Sequence, residues 1–177
     1  MQIISGKYRG KKLMNIFNDT TRPTTGRVRE NVFNIIAERI RDATVLDPFA
    51  GTGANAAECI SRGAKTVIVN DSNPVAVDAI NKNMKSIGGP AATQMDAIDL
   101  IHKLRDMKFD IVFLDPPYDG NMGPRIIELL TKFDMVRNGG VIVFETDSAH
   151  EPITFDHYNV REKTYGRAKI YFLHKPN

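Results

Sequence analysis

Residues 43–71 read ATVLDPFAGTGANAAECISRGAKTVIVND. A short β-branched run ends at Asp47, a turn with one proline and two glycines follows, and NAAECISRG spaces its apolar residues helically before KTVIVND reaches Asp71. Strand, helix and strand in this order predict a βαβ unit with parallel strands. The alternation continues through PVAVDAINKNMKSIG, AATQMD, AIDLIHKLRDM, FDIVFLD, PRIIELLTKFDM and GGVIVFE. The nearly unbroken apolar character of IVFL and VIVF suits strands covered on both faces. The expected core is therefore an α/β fold, a mostly parallel, doubly wound, Rossmann-like sheet.

Outside this core the pattern changes. HYNVREKTYG and RAKIYFLHK meet at Gly166 and predict a C-terminal antiparallel hairpin. QIISGKYRGKKLMNI predicts an N-terminal β-hairpin, and RPTTGRVRENVFNIIAERI a helix with Val28, Val32, Ile35, Ile36 and Ile40 on one face. Thr24 or Thr25 is the expected cap of that helix. A single domain over 1–177 is expected, with a basic N-terminal extension at 1–41 and the core at 42–177.

Of the 177 residues 42% are hydrophobic and 25% charged, which excludes a disordered chain, and no apolar run approaches a bilayer span. The basic N-terminus lacks the apolar stretch of a secretory signal, and the single Cys59 has no disulfide partner, so a cytoplasmic location is expected. The four histidines form no ligand cluster, and no metal is expected. Net charge is only +3, but residues 1–41 hold nine Lys/Arg against three Asp/Glu, leaving −3 on the remainder. A basic head on a slightly acidic body points to a polyanionic partner.

In an open parallel sheet, ligands bind beyond the carboxyl ends of the strands. Asp47, Asp71, Asp96 and Asp115 stand at or just beyond four successive strand ends. Gly51 and Gly53 let the backbone approach a ligand closely. GTGANA with Asp71 also fits a degenerate dinucleotide fingerprint, so a nicotinamide cofactor competes. Asp47, however, would face the phosphates of a dinucleotide, whereas a cationic ligand without phosphate suits it. S-adenosylmethionine is such a ligand, with its ammonium near Asp47, its ribose at Asp71 and its adenine amino group at Asp96. Asp96 has a simpler reading as a helix cap.

The fourth strand delivers DPPY, Asp115 to Tyr118. An exocyclic amine is a poor nucleophile because its lone pair is delocalised. A side-chain carboxylate from Asp115 and a backbone carbonyl from Pro116 can accept both its N–H hydrogens and free that lone pair. Pro116 and Pro117 fix the backbone that presents the carbonyl, and Tyr118 can stack on the planar group.

DPFAGTGA, VND, MDA and DPPY in this order resemble the class I S-adenosylmethionine-dependent methyltransferases that modify exocyclic amines. IISGKYRGKKL, RPTTGRVRENVFNII, ISRGA and REKTYGRAKIYFL narrow the resemblance to the bacterial RsmD family, which methylates the N2 of a guanine in 16S ribosomal RNA. The resemblance spans essentially the whole chain. It implies Asp47, Phe49, Gly51, Gly53, Asp71, Asp96 and Ala97 as the cofactor set and Asp115, Pro116, Pro117 and Tyr118 at the reacting amine. The family more often has Leu where Pro48 stands, Leu-Gly-Leu at Asn55–Ala57, and Glu at position 71. Lys7, Arg9, Lys11, Lys12, Arg22, Arg27, Arg29 and Arg167 become candidates for RNA phosphates, with Arg161 and Lys169 beside them. The implied partner is 16S rRNA, as a 30S subunit or an assembly intermediate, with no membrane and nothing that requires a dimer. The rival readings are a DNA adenine-N6 methyltransferase and a catalytically inactive RNA-binding ribosome assembly factor.

Overall fold

The computed structural model describes residues 1–16, 26–117, 121–147 and 154–177. Thr24, Thr25, Arg22 and Tyr118 lie outside the described residues. Helix α1 spans Gly26–Ile36 and continues as a 3-10 turn, Ala37–Arg39. Then come β1 (Thr44–Asp47), α2 (Ala54–Ser61), β2 (Thr66–Val69), α3 (Pro74–Lys85), α4 (Ala97–Lys103), β3 (Phe109–Leu114), α5 (Met122–Lys132), β4 (Val136–Asp147), β5 (Asn159–Tyr165) and β6 (Ala168–His174). None of these helices is long and apolar enough to cross a membrane.

The six strands form one sheet in the order β2-β1-β3-β4-β6-β5. The first four are parallel, and β6 lies antiparallel between β4 and β5. Because side chains alternate across a strand, Ile111 and Phe113 of β3 enter one apolar layer and Val112 and Leu114 the other. The first layer is covered by α1, α2 and α3, the second by α4 and α5. On α1 it is Val28, Val32, Phe33 and Ile36 that are buried, and Ile40 beyond the 3-10 turn joins them, while Ile35 is half-buried.

Two expected elements take another form. AATQMD contributes only one parallel bridge, Asn70 to Thr93, instead of a strand. The buried Asn70 side chain replaces the missing ladder: its Nδ2 donates to the carbonyls of Pro48 (3.0 Å) and Met95 (3.1 Å), and its Oδ1 accepts from Met95 N and Thr93 Oγ1. The N-terminal hairpin is likewise reduced to one antiparallel bridge, Gln2 to Lys12. The arm keeps cross-hairpin bonds from Ile3 N to Lys11 O, Gly10 N to Ile3 O and Leu13 N to Met1 O, and the peptide groups between them turn to α2. Ile4 N and Ser5 N donate to the Glu58 carboxylate (2.8 and 3.0 Å), Tyr8 N donates to Ser61 Oγ, and Lys7 N donates to Ser61 O. Backbone groups that lose water need a partner, and the helix supplies it. Ile3 and Leu13 then enter the first apolar layer, so the arm shares the core of the sheet.

Gly6 is where this docking is tightest. Its φ is +86°, and a Cβ there would lie 1.9 Å from the Ser61 carbonyl oxygen. Gly10, at φ +80°, faces open space. Gly6→Ala is therefore expected to lower the unfolding free energy by about 1–3 kcal/mol through the backbone overlap, and Gly10→Ala by about 1 kcal/mol through its left-handed φ alone. Urea unfolding of both variants checks the order, and equal losses would rule out the close approach to α2.

Candidate active site

The chain leaves β1 for β2 on one side and reaches β3 on the other, so the switch point of the sheet lies between β1 and β3. Crevices at such points are where parallel sheets bind ligands. Asp47 ends β1 and Asp115 directly follows β3. Asp71 stands two residues beyond β2, and Asp96 precedes α4 close to the Thr93 bridge. The four acids thus share one edge of the sheet.

Asp47 is 2% exposed, and its Oδ2 is buried with no hydrogen-bond partner among the described residues. Burial pushes its carboxyl up to about 8, helped by the neighbouring negative charges of Asp115 and then Asp71. Such a carboxyl is largely protonated at neutral pH and is poised to ionise against an incoming cation. An ammonium group fits that environment; a phosphate, facing three carboxyls, does not.

Asp71 closes the glycine turn. Its Oδ2 accepts from Gly51 N and its Oδ1 from Asn73 N, both at 2.9 Å, and a carboxylate with about four lone-pair sites keeps capacity for ribose hydroxyls. Gly51 has φ +59°, and a Cβ added to it would meet nothing within 4 Å, so the turn opens onto free space. Gly53 has φ +79° and caps α2. A Cβ there would press on Met84 and Ile80 of α3, at 3.2 and 3.4 Å. Phe49 is half-buried against the second apolar layer. Asp96 caps α4, its Oδ1 accepting from Ile98 N and Asp99 N, and Ala97 is buried behind it. Asp115 is half-buried, Pro116 buried and Pro117 exposed.

The cations divide. Lys7, Arg9, Lys11, Lys12, Arg27, Arg161 and Arg167 are exposed. Arg167 sits in the β5–β6 turn beside Asp147, at the same sheet end as Asp115. Arg29 is turned inward: its guanidinium donates to the Gln2 carbonyl, and burial, opposed by the charge of Glu58, lowers its pKa. Lys169 is half-buried, 3.7 Å from Glu162 and over the Tyr171 ring.

Two buried, hydrogen-bonded side chains close to the four acids escaped the sequence reading, Asn70 and Asn83. Asn83 is 3% exposed on the buried face of α3, with Ala76, Ala79, Ile80 and Met84. An amide at a core-facing position of an amphipathic helix was the available signal, since buried polar groups need partners. A groove of about 420 Å³ between α5 and residues 154–158 contains none of the four acids.

Comparison with known proteins accords with this geometry. The family model described as Conserved hypothetical protein 95 matches residues 1–174. YlbH of Bacillus subtilis, provisionally named an rRNA methyltransferase, is 34% identical over 173 residues, 94% of each chain. Ribosomal RNA small subunit methyltransferase D of Haemophilus influenzae is 30% identical over 172 residues, covering 94% of this chain and 89% of that one. A solved structure from Escherichia coli, yhhF, also provisionally named a methyltransferase, superposes with a TM-score of 0.88 at 29% identity, covering 99% of this chain and 98% of that one.

The raised pKa of Asp47 makes stability depend on pH. The folded protein keeps a proton up to about pH 8 that the unfolded chain releases near 3.8, so this group's contribution is complete at low pH and is lost as pH rises through that window. Asp47→Asn removes the titration. Its stability relative to the native protein is expected to rise between pH 4 and pH 8, by about 1 kcal/mol or more at the upper end. A pH series of urea unfolding curves measures this, and a flat difference would mean that Asp47 is ionised throughout.

Proposed function

The chain belongs to the RsmD family, described as Conserved hypothetical protein 95, and from that premise we propose that it transfers a methyl group from S-adenosylmethionine to the exocyclic N2 of a guanine in 16S ribosomal RNA. The observation that carries the reading is the buried Asp47 carboxyl with its unpartnered oxygen, beside Asp71 and Asp115 at the sheet's switch point. Asp47 receives the cofactor's ammonium, Asp71 its ribose and Asp96 its adenine amino group, with Phe49, Ala97 and the glycine turn lining the space between. Bound there, the cofactor supplies a methyl carbon made electrophilic by a positively charged sulfur.

The chain's own part is to make the amine reactive. The Asp115 carboxylate and the Pro116 carbonyl accept the two N–H hydrogens, drawing the nitrogen out of conjugation so that its lone pair points at the methyl carbon. Prolines at 116 and 117 hold that carbonyl in place. Tyr118 stacks on the base. Transfer would break the sulfur–carbon bond as the nitrogen–carbon bond formed, and the methylated nitrogen, cationic and strongly acidic, would give its proton to water or to Asp115. A guanine inside a helix is out of reach, so the base is flipped into the pocket. The exposed Lys7, Arg9, Lys11, Lys12, Arg27 and Arg167, with Arg22, hold phosphates and position the RNA.

Labelled S-adenosylmethionine offered with 30S particles, naked 16S RNA and DNA tests the proposal, with the modified nucleoside identified by mass spectrometry. Methylguanine at N2 supports it. Methyladenine in DNA, or RNA binding without transfer, overturns it. Asp115→Ala is expected to keep cofactor binding nearly intact while turnover falls roughly 10²-fold or more, as for loss of other transition-state acceptors; near-normal turnover would remove Asp115 from the site.

A further inference from the structure

We propose that Asn83 is a positioning residue that couples the two substrates of the transfer reaction, by holding the basic arm and the glycine turn with a single side-chain amide. The coupling to RNA rests on the methyltransferase reading above.

Every hydrogen-bonding group of the Asn83 amide is used. Its Oδ1 accepts from Met14 N at 2.8 Å, while its Nδ2 donates to Met14 O at 3.2 Å and to Thr52 O at 2.8 Å. The orientation is fixed by its partners, because one N–H and two carbonyls can be satisfied in no other way. Met14 belongs to the arm that carries Lys7, Arg9, Lys11 and Lys12. Thr52 is the middle residue of the Gly51–Gly53 turn, and Gly53 stands so near Met84 and Ile80 of α3 that an added Cβ would come within 3.2 and 3.4 Å of them. One side chain therefore sets where both peptides lie.

The other polar attachments of the arm have a different reach. Glu58 and Ser61 hold Ile4, Ser5, Lys7 and Tyr8 on the body and C-terminal end of α2, one to two turns away from the glycine turn. Displacing the arm at Ser61 leaves Thr52 untouched, whereas displacing it at Met14 pulls on the amide that holds Thr52. RNA that fixes the arm thus also fixes the turn, and linkage requires that cofactor in the turn fix the arm in return. The Asn83 amide is itself buried, so its own groups find no water in place of these partners when the bonds are strained.

The test uses the full chain and compares Asn83→Asp, which keeps the acceptor for Met14 N and loses both donations, with Ser61→Ala. In the native protein a 16S RNA fragment is expected to tighten S-adenosylmethionine binding about fivefold, a common size of coupling. Asn83→Asp is expected to raise KM for RNA and for cofactor about five- to tenfold each, the weight of a buried hydrogen bond, with kcat nearly unchanged and the coupling abolished. Ser61→Ala raises KM for RNA only. Hydrogen exchange adds a reading that needs no RNA: cofactor slows exchange of the Met14 amide in the native protein and not in Asn83→Asp. If Asn83→Asp does not fold, Asn83→Ser takes its place in every measurement.

Unchanged KM values, coupling and exchange in a folded Asn83 variant would overturn the proposal, as would an equal rise in cofactor KM in Ser61→Ala. If the native protein transfers no methyl group to RNA, the functional reading fails, and the exchange of Met14 on adding cofactor still decides for or against Asn83.

Discussion

The hydrogen bond from Gly51 N to the Asp71 carboxylate closes the βαβ unit at its ligand end. Gly51 follows β1 and Asp71 follows β2, so the bond joins the loops that leave neighbouring parallel strands. The apolar layers hold the strands side by side, yet they do not determine how a glycine-bearing turn folds over the strand ends. With Asp71 anchoring one side and Asn83 the other, the turn has a defined path despite two residues of high intrinsic freedom. On that path the side of Gly51 where a Cβ would stand is left open.

Two buried carboxyls show how differently a fold can treat the same chemistry. Glu58 is fully buried and partnered on both oxygens, accepting from Ile4 N, Ser5 N and Arg62 Nε. Asp47 is just as deep and keeps one oxygen without a partner among the described residues. A buried acid partnered on both oxygens organises structure; one with an oxygen left unpartnered costs stability unless something arrives to complete it. The sheet places the second kind at its switch point and the first kind behind it, where Glu58 binds the arm.

Much of this was legible in residues 43–71 and their sequels. Period and turn chemistry reveal which residues face a core and where a strand ends, so the parallel sheet, the paired apolar layers and the row of terminal acids followed. What periodicity cannot reveal is the partner of a backbone group. AATQMD has the look of an edge strand, but the Asn70 side chain takes the hydrogen bonds a ladder would have used. The arm pairs Ile3 with Lys11 and Met1 with Leu13 as a hairpin would, but Glu58 and Ser61, far along the chain, claim the peptides of Ile4, Ser5 and Tyr8. Arg29 was a candidate for RNA phosphates with pairing to a carboxylate as its alternative, and its position on α1 turns it toward the Gln2 carbonyl and the charge of Glu58. Asp96 is visible as a helix cap in either setting, and its exposed carboxylate leaves the cap compatible with a ligand.

The docking of the arm through its peptide groups also bears on how such a protein diversifies. Between Ile3 and Leu13 the hydrogen bonds to the helix come from main-chain atoms, which every amino acid except proline provides alike; Gly6 is dictated by space, and Tyr8 packs against the first apolar layer. Lys7 lies over the Tyr8 ring, whereas the exposed side chains at positions 9, 11 and 12 are not committed to holding the arm in place. They form an interchangeable cassette: its chemistry can be rewritten while the body beneath it stays the same.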